Sequence, residues 1–295
     1  MPQPTVFLVD ASIYLFRAWH SMPDAFLNAL GQPTNAVYGF TGTLCSLLEQ
    51  ERPRHVGVAF DISLTTSFRN EIYADYKANR DPAPEELKRQ FSWAQEVAEA
   101  MGLKCYGDVR YEADDLIGTL ANHWRERGHP VTIVSGDKDL AQLLNDGDNW
   151  WDFARNTRLG PKGVREKFGV DPVQIADYLA LTGDSVDNIP GVPGVGPKTA
   201  VALLGHFGTL DALFERLGEV EYLSFRGAKS MGKKLETHRE AAELARRLTG
   251  IDCAVPSVLK DPDIQRQALD EARLNRLFDE LSFGRMLRQR CLNTA

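Results

Sequence analysis

Thr5-Val6-Phe7-Leu8-Val9 is a short apolar run closed by Asp10, and its reading decides the fold. A run this short and β-branched, bounded by polar chain, reads as a strand buried on both faces. His55-Val56-Gly57-Val58-Ala59-Phe60, closed by Asp61, repeats the pattern. Leu103–Tyr106, Val131–Val134 and Trp150–Phe153 read the same way. Helical patterns separate them. Asn35–Gln50 carries apolar residues at helical spacing. A second helical segment opens at Pro84, runs to Met101 and stops at Gly102. A third spans Ala113–Arg127, before Gly128. Proline at a helix start and glycine past its end are the expected punctuation. The alternation predicts a largely parallel sheet with helices on both faces. In such sheets ligands bind beyond the carboxyl ends of the strands.

From about Pro161 the strand patterns nearly stop. Helical segments follow at Pro161–Phe168, Pro172–Thr182, Lys198–Phe207, Leu210–Leu217, Lys229–Leu248 and Gln265–Leu281. A boundary between residues 160 and 170 is therefore expected. Ser63–Pro84 fits neither period. It mixes Phe68, Arg69, Tyr73, Tyr76, Lys77 and Arg80, and is too long for an ordinary connection.

The 295 residues are 43% hydrophobic and 25% charged, which suits a globular chain and excludes disorder. No apolar stretch is long enough to span a membrane. Met1-Pro2-Gln3-Pro4 lacks the basic start of a secretory signal. Cys45, Cys105, Cys253 and Cys291 are widely separated, with no CxxC pair, which fits reduced core thiols in a cytosolic protein. Trp150 and Trp151 read as core. The net charge of −7 argues at first against a nucleic-acid partner.

Nine acids stand out by position: Asp10, Asp61, Glu112, Asp114, Asp115, Asp137, Asp139, Asp184 and Asp187. An aspartate after a strand is often a helix N-cap, and that reading suffices for any one of them. It does not account for the set. Glu112-Ala113-Asp114-Asp115 offers three acids where one cap suffices. Glu112 and Asp115, like Asp184 and Asp187, share the i, i+3 spacing of one helical face. Converging carboxylates repel unless protonated or bridged by cations. Hard oxygen donors suit Mg²⁺ or Mn²⁺, and this many can hold two ions about 4 Å apart, the geometry of in-line phosphoryl displacement.

Ile189–Thr199 (IPGVPGVGPKT) is the second strong feature. It invites a P-loop reading, but Pro197 intervenes before Lys198 and the preceding segment does not read as a strand. A hairpin joining two helices fits better, with Pro197 at the first position of the second helix. Free N–H groups there, with Lys198 and Thr199, would grip a phosphate without reading bases. A plain helix connector is the simpler alternative.

The residues VDAS (9–12), AVYGF (36–40), AFD (59–61), SFRNEIYADYKANR (67–80), YEADD (111–115), SGDKDL (135–140), LTGDSVDNIPGVPGVGPKTA (181–200) and LLGHFGTLDAL (203–213) resemble the bacterial 5′-nuclease family. That family includes the 5′→3′ exonuclease domain of DNA polymerase I and the flap endonucleases. The resemblance runs from about residue 5 to residue 285. It implies a three-layer αβα core of the PIN/5′-nuclease kind over residues 1–167, with a helical arch at about 63–100. A helix–hairpin–helix region would occupy 168–295. No polymerase pattern follows in this sequence, which looks like a stand-alone member.

The resemblance implies a metal-dependent phosphodiesterase acting on branched or 5′-flap DNA with a free 5′ end. The nine acids match the family's metal ligands, with Asp139, Asp184 and Asp187 mainly at a second ion. Some stand-alone relatives lack the last two acids; this chain keeps both. Lys77 matches the arch lysine near the scissile phosphate, Arg69 and Arg80 its basic companions, and Tyr76 an aromatic that would stack on a base. Main-chain carbonyls of Leu181, Thr182, Pro190, Val192 and Val195 would hold a potassium ion, and Gly194, Val195, Gly196, Pro197, Lys198 and Thr199 would contact duplex backbone. By their charge alone, basic residues in Arg155–Lys167 and Arg226–Arg247 extend that footprint or, for about half of them, form a solvated helix face. A cytoplasmic, nucleoid-associated monomer is expected.

Two rivals remain at this point. One is a DNA-structure-binding protein with an idle site, which the complete acid set opposes. The other is a phosphomonoesterase, suggested by Asp10 after a strand, although Ala11-Ser12 replaces the usual Asp-x-Asp. Setting the nine acids aside turns the net charge from −7 to +2, so the acidic total does not exclude a DNA partner.

Overall fold

The computed structural model describes residues 3–23, 25–63 and 66–294. Strand β1 (Val6–Asp10) is buried along its whole length. Helix α1 (Ala11–Ser21) follows at once, because the Asp10 side chain accepts the Ile13 N–H at 3.3 Å and caps it. The chain continues through α2 (Asn35–Glu51), β2 (His55–Asp61), α3 (Phe68–Ile72), α4 (Glu85–Ala100), β3 (Lys104–Asp108), α5 (Ala113–Arg125), β4 (Val131–Val134), β5 (Asn149–Asp152) and β6 (Thr157–Leu159). Then come α6 (Pro161–Phe168), α7 (Ile175–Thr182), α8 (Pro197–Phe207), α9 (Leu210–Glu215), α10 (Ala228–Thr237), α11 (Arg239–Thr249), α12 (Pro256–Leu259), α13 (Glu271–Glu280) and α14 (Arg285–Leu292).

The fold is mixed α/β with a mostly parallel six-stranded sheet, as expected. Its order is β3-β2-β1-β4-β5-β6, and only β6 runs antiparallel to its neighbour. Successive residues of β1 face opposite layers. Val6 and Leu8 share a core with Leu116, Ile117 and Leu120 of α5, whereas Phe7 and Val9 share the other with Leu15, Phe40 and Leu44 of α1 and α2. Burial on both sides is why the strand reads as a continuous apolar run.

Two helical expectations change. Lys229–Leu248 is not one helix but α10 and α11, broken at His238, whose backbone leaves helical geometry (φ −111°, ψ 18°). In Gln265–Leu281 only Glu271–Glu280 is helical. Before it the chain runs extended: Arg266 N–H donates to the Arg54 carbonyl, Gln267 N–H to that of Gly102 and Asp270 N–H to that of Ala100. Those partners replace the helical hydrogen bonds the spacing suggested.

The last helices return to the first layer. Leu274, Phe278 and Leu287 share a core with Phe7, Val9 and Trp93. Cys45 of α2 and Cys291 of α14, distant in sequence, are buried free thiols with sulfurs 3.0 Å apart.

Candidate active site

Parallel pairing gathers the acids. Asp10 lies opposite Ala59, so Asp61, two residues on, faces the same side of the sheet. Asp61 accepts the Ala113 N–H at 2.8 Å, which sets the start of α5, with Glu112 and Asp114, over the strand ends. Its own N–H donates to Ser12 Oγ at 2.9 Å. Ser135, fully buried after β4, donates from Oγ to Asp10 Oδ2 at 2.8 Å and accepts the Asp137 N–H at 2.9 Å. Trp150 Nε1–H donates to the Asp137 carbonyl at 2.8 Å. Ser12, Ser135 and Trp150 are positioning groups that sequence reasoning missed. The signal for the serines was their place within VDAS and SGDKDL.

The acids feel one another. Burial, then the charges of Asp61 and Asp137, pushes Asp10 up to about 7. Burial and Asp137 likewise push Asp139 up to about 7. Asp114 rises well above the carboxylate range through burial and the charges of Asp137, Asp10 and Asp61. Asp61 rises through burial and Glu112, against the pull of Lys77. Among the described residues no three His, Cys, Asp or Glu side chains already close around one point as a coordination shell does. Mutual repulsion of this kind is what a bridging cation relieves, and carboxylate oxygens are the hard donors that Mg²⁺ or Mn²⁺ takes.

A stability prediction follows. Asp10 and Asp139 have folded-state values raised from 3.8 to about 7. Their contribution is therefore fully present below about pH 4 and lost as pH rises through about 7. Metal-free protein should melt at a higher temperature at pH 6 than at pH 8, with added Mg²⁺ flattening the difference. A melting temperature independent of pH over that range in chelator refutes it.

Three cationic side chains meet other acids. Lys77 Nζ donates to Glu112 Oε2 at 2.9 Å and lies 3.8 Å from Asp187. Arg80 pairs with Asp187. Lys138 Nζ lies 2.7 Å from Asp184 Oδ2 and 3.2 Å from Asp139 Oδ1. Burial works against the Glu112 charge, but Lys77 and Arg69 outweigh it and hold that carboxyl below its usual value. Burial also opposes the Asp184 charge, and Lys138 overcomes it.

The segment expected as an arch is folded down over the acids. Residues 64 and 65 lie outside the described residues. Residues 75–80 dock on the loop after α7: Lys77 N–H donates to the Asp187 carbonyl, Asn79 Nδ2 to that of Ser185 and Asn188 Nδ2 to that of Asp75. Lys77 and Asn188, both on this seam, adopt left-handed backbone with φ of 56°. Such strain persists only where surrounding contacts enforce it, and it gathers at functional sites. Helix α4 buries Leu87, Trp93, Ala94 and Val97 in the core.

Three of the expected site residues are buried among partners of their own. Tyr76 is buried, with its hydroxyl within hydrogen-bonding distance of Glu112 (3.1 Å) and Asp187 (3.2 Å), so its ring is no open platform for a base. Arg69 is 2% exposed and forms a two-pronged pair with Asp115, itself 0% exposed, at 2.8 Å in both arms. Arg69 also donates to the carbonyls of Leu248 and Gly250. Asp115 accepts the N–H groups of Glu112 and Asp252. With these partners Asp115 and Arg69 together form a structural anchor between the start of α5 and the chain after α11.

The glycine-rich turn joins α7 to α8, a helix-to-helix link as expected. Gly183 (φ +77°) and Gly191 touch backbone to backbone: a Cβ on Gly191 would fall 2.3 Å from Gly183 N. Only glycine fits there. The Leu181 carbonyl accepts the Val192 N–H, and the Val192 carbonyl that of Val195. Thr182 is half-buried and Pro190 exposed. Val192 and Val195 bury their side chains, Gly194, Gly196, Pro197 and Lys198 are exposed, and Thr199 is half-buried. Pro197 is the first residue of α8. Lys234 of α10 stands beside Gly194, with Nζ 3.3 Å from the position of a Cβ there.

The comparisons with known proteins agree with this arrangement. The description "5′-3′ exonuclease, N-terminal resolvase-like domain" matches residues 5–169, and "5′-3′ exonuclease, C-terminal SAM fold" matches 170–272. The chain belongs to the 5′-3′ exonuclease family. It is 42% identical over 288 residues to DNA polymerase I of Pseudomonas aeruginosa, covering 97% of this chain and 31% of that protein. It is 40% identical over 294 residues to DNA polymerase I of Mycobacterium leprae, covering 98% of this chain and 31% of that protein. The chain thus spans about a third of the length of these relatives. Bacteriophage T5 5′-exonuclease, solved with bound zinc, shares the fold: TM-score 0.69, 22% identity, 98% of this chain and 99% of that one. So does the catalytic core of Rad2 in complex with DNA substrate: TM-score 0.64, 16% identity, 99% of this chain and 92% of that one. Among the described residues no helix is long and apolar enough to cross a membrane.

Proposed function

We propose that this chain is a structure-specific 5′-nuclease, an exonuclease, a flap endonuclease or both, that hydrolyses DNA phosphodiesters. The observation that carries this reading is the convergence of buried Asp10 with half-buried Asp61, Asp114, Asp137 and Asp139 at the carboxyl ends of the strands, mutually repelling, under a basic segment. Family membership supports it, as do the divalent ions bound to the T5 enzyme and the DNA bound to Rad2.

In this reading Asp10, Asp61, Glu112, Asp114 and Asp137 hold one divalent ion, and Asp139, Asp184 and Asp187 mainly a second. Bound there, two Mg²⁺ ions, or Mn²⁺ in their place, supply a water-derived nucleophile at neutral pH and charge neutralisation for in-line displacement. Ser135 holds the Asp10 carboxylate and the Asp137 backbone in place, and Ser12 the Asp61 backbone. Lys77, nearly dehydrated and fixed in left-handed backbone, offers a preorganised positive charge for the phosphate oxygens, with Arg80 beside it. Docking of 75–80 over the acids excludes bulk water. Gly194–Thr199 grips duplex phosphate through the N-terminus of α8, and carbonyls of Leu181, Thr182, Pro190, Val192 and Val195 would accommodate K⁺. A monomer serving DNA replication or repair in the bacterial cytoplasm, at the nucleoid, suits this activity.

The test is a labelled 5′-flap duplex incubated with purified protein, in Mg²⁺ and in chelator. A chelator-sensitive product is expected, and its length distinguishes exonucleolytic from flap cutting. No such product rejects the reading.

A further inference from the structure

Lys138 lies in the middle of Ser135-Gly136-Asp137-Lys138-Asp139, and none of the roles above uses it. Its ammonium stands 2.7 Å from Asp184 Oδ2 and 3.2 Å from Asp139 Oδ1, tying the end of β4 to the loop after α7. Those are two of the three acids assigned above to the second cation. The Asp139 Oδ1 atom is buried and, among the described residues, accepts no hydrogen bond. The ammonium therefore compensates it by charge alone.

Lys77 and Lys138 differ in how they are held. The Lys77 side chain is 11% exposed and its backbone is locked at φ 56°. The Lys138 side chain is 43% exposed and its backbone is ordinary helical. The backbone on either side of Lys138 is fixed: Trp150 holds the Asp137 carbonyl, and Gln142 Nε2 donates to the Asp139 carbonyl at 2.9 Å. The carboxylates thus stay in place while the flexible lysine stem swings toward water.

We infer that Lys138 is a built-in competitor for the second divalent cation, filling the gap between Asp139 and Asp184 until an ion displaces its ammonium. The inference rests on the proposed function, since it takes Asp139, Asp184 and Asp187 as the second ion's ligands. A single positive charge on a flexible stem satisfies two carboxylates only partly. A divalent ion in direct contact with both oxygens gains more, but must first overcome the ion pair. The second ion should therefore bind more weakly than the first, and the lysine it releases can meet a DNA phosphate.

Mn²⁺ titration of the DNA-free protein, read by the electron paramagnetic resonance signal of free Mn²⁺, tests this without reference to activity. Wild type should show a tighter and a weaker class of site. Lys138→Met, which removes the charge and keeps the stem, should tighten the weaker class about two- to fivefold, in keeping with loss of a partly exposed ion pair. Lys138→Gln should do the same, and Lys138→Arg should leave the weak class weak. In chelator Lys138→Met should melt lower than wild type, and Mn²⁺ should raise its melting temperature more. A weaker class unchanged or weakened in both neutral variants overturns the inference while leaving the nuclease reading intact. A wild-type protein that binds no Mn²⁺ overturns both.

Discussion

Asp137→Asn should abolish cleavage of a 5′-flap duplex and at the same time raise the melting temperature of the metal-free protein. The two effects share one cause. The charge of Asp137 is among those that push Asp10, Asp114 and Asp139 up, so it is the acid most felt by the others. Its own carbonyl and N–H are pinned by Trp150 and Ser135, so the carboxylate cannot retreat. Asparagine retains Oδ1, which accepts the Asp139 N–H at 2.9 Å, and the turn survives. Removing the charge relieves repulsion and so stabilises. It also removes an ion ligand. Changing residues that merely orient ligands costs roughly 10- to 100-fold, so losing a ligand should reduce the rate by more than about 100-fold. Flap binding should largely persist, because the duplex grip lies in the helical region. Full cleavage by the variant in Mg²⁺ would sink the assignment, and a lowered metal-free melting temperature would remove the electrostatic account.

Arg69→Ala should be the most destabilising single change, by about 3–5 kcal/mol in urea unfolding, the range for removing one partner of a buried pair. It leaves Asp115 charged with no exposure and strips partners from the carbonyls of Leu248 and Gly250. Lysine is no substitute, because one ammonium cannot reproduce two parallel bonds to Asp115 and two to carbonyls. The combined Arg69→Met, Asp115→Leu variant should recover much of the loss, since an apolar pair of similar volume avoids the stranded charge. A loss below about 1 kcal/mol for Arg69→Ala would mean that the pair is an ornament of a site stabilised elsewhere. Retained cleavage in a stable double variant would separate this anchor from the chemistry.

The strands were legible because burial on both faces writes itself as an apolar run, and their acids because each run ends in one. The glycine-rich turn and Pro197 were legible because backbone geometry permits few residues there. Partnership was not. Asp115 reads like Glu112 and Asp114 in the same motif, yet Arg69, 46 residues earlier, claims it. Tyr76 reads as an exposed aromatic in a polar stretch, and only the docking of that stretch on the loop after α7 buries it. The break at His238 and the extended run before α13 depend on tertiary partners that override periodicity. Lys138 stands in plain view within SGDKDL, but nothing in one dimension shows which acids it joins.

The same anchor has a consequence for how the chain folds. Arg69 closes on carbonyls 179 and 181 residues later, and α14 seats Cys291 against Cys45, 246 residues away. A nascent chain that has emerged only as far as β6 therefore holds most of its acids but not the contacts that brace them. Contacts of such long sequence separation pay loop-closure entropy before they are rewarded, and they slow folding. The sheet and the helical region are accordingly expected to reach native order together, which stepwise refolding of a chain ending at residue 160 would check.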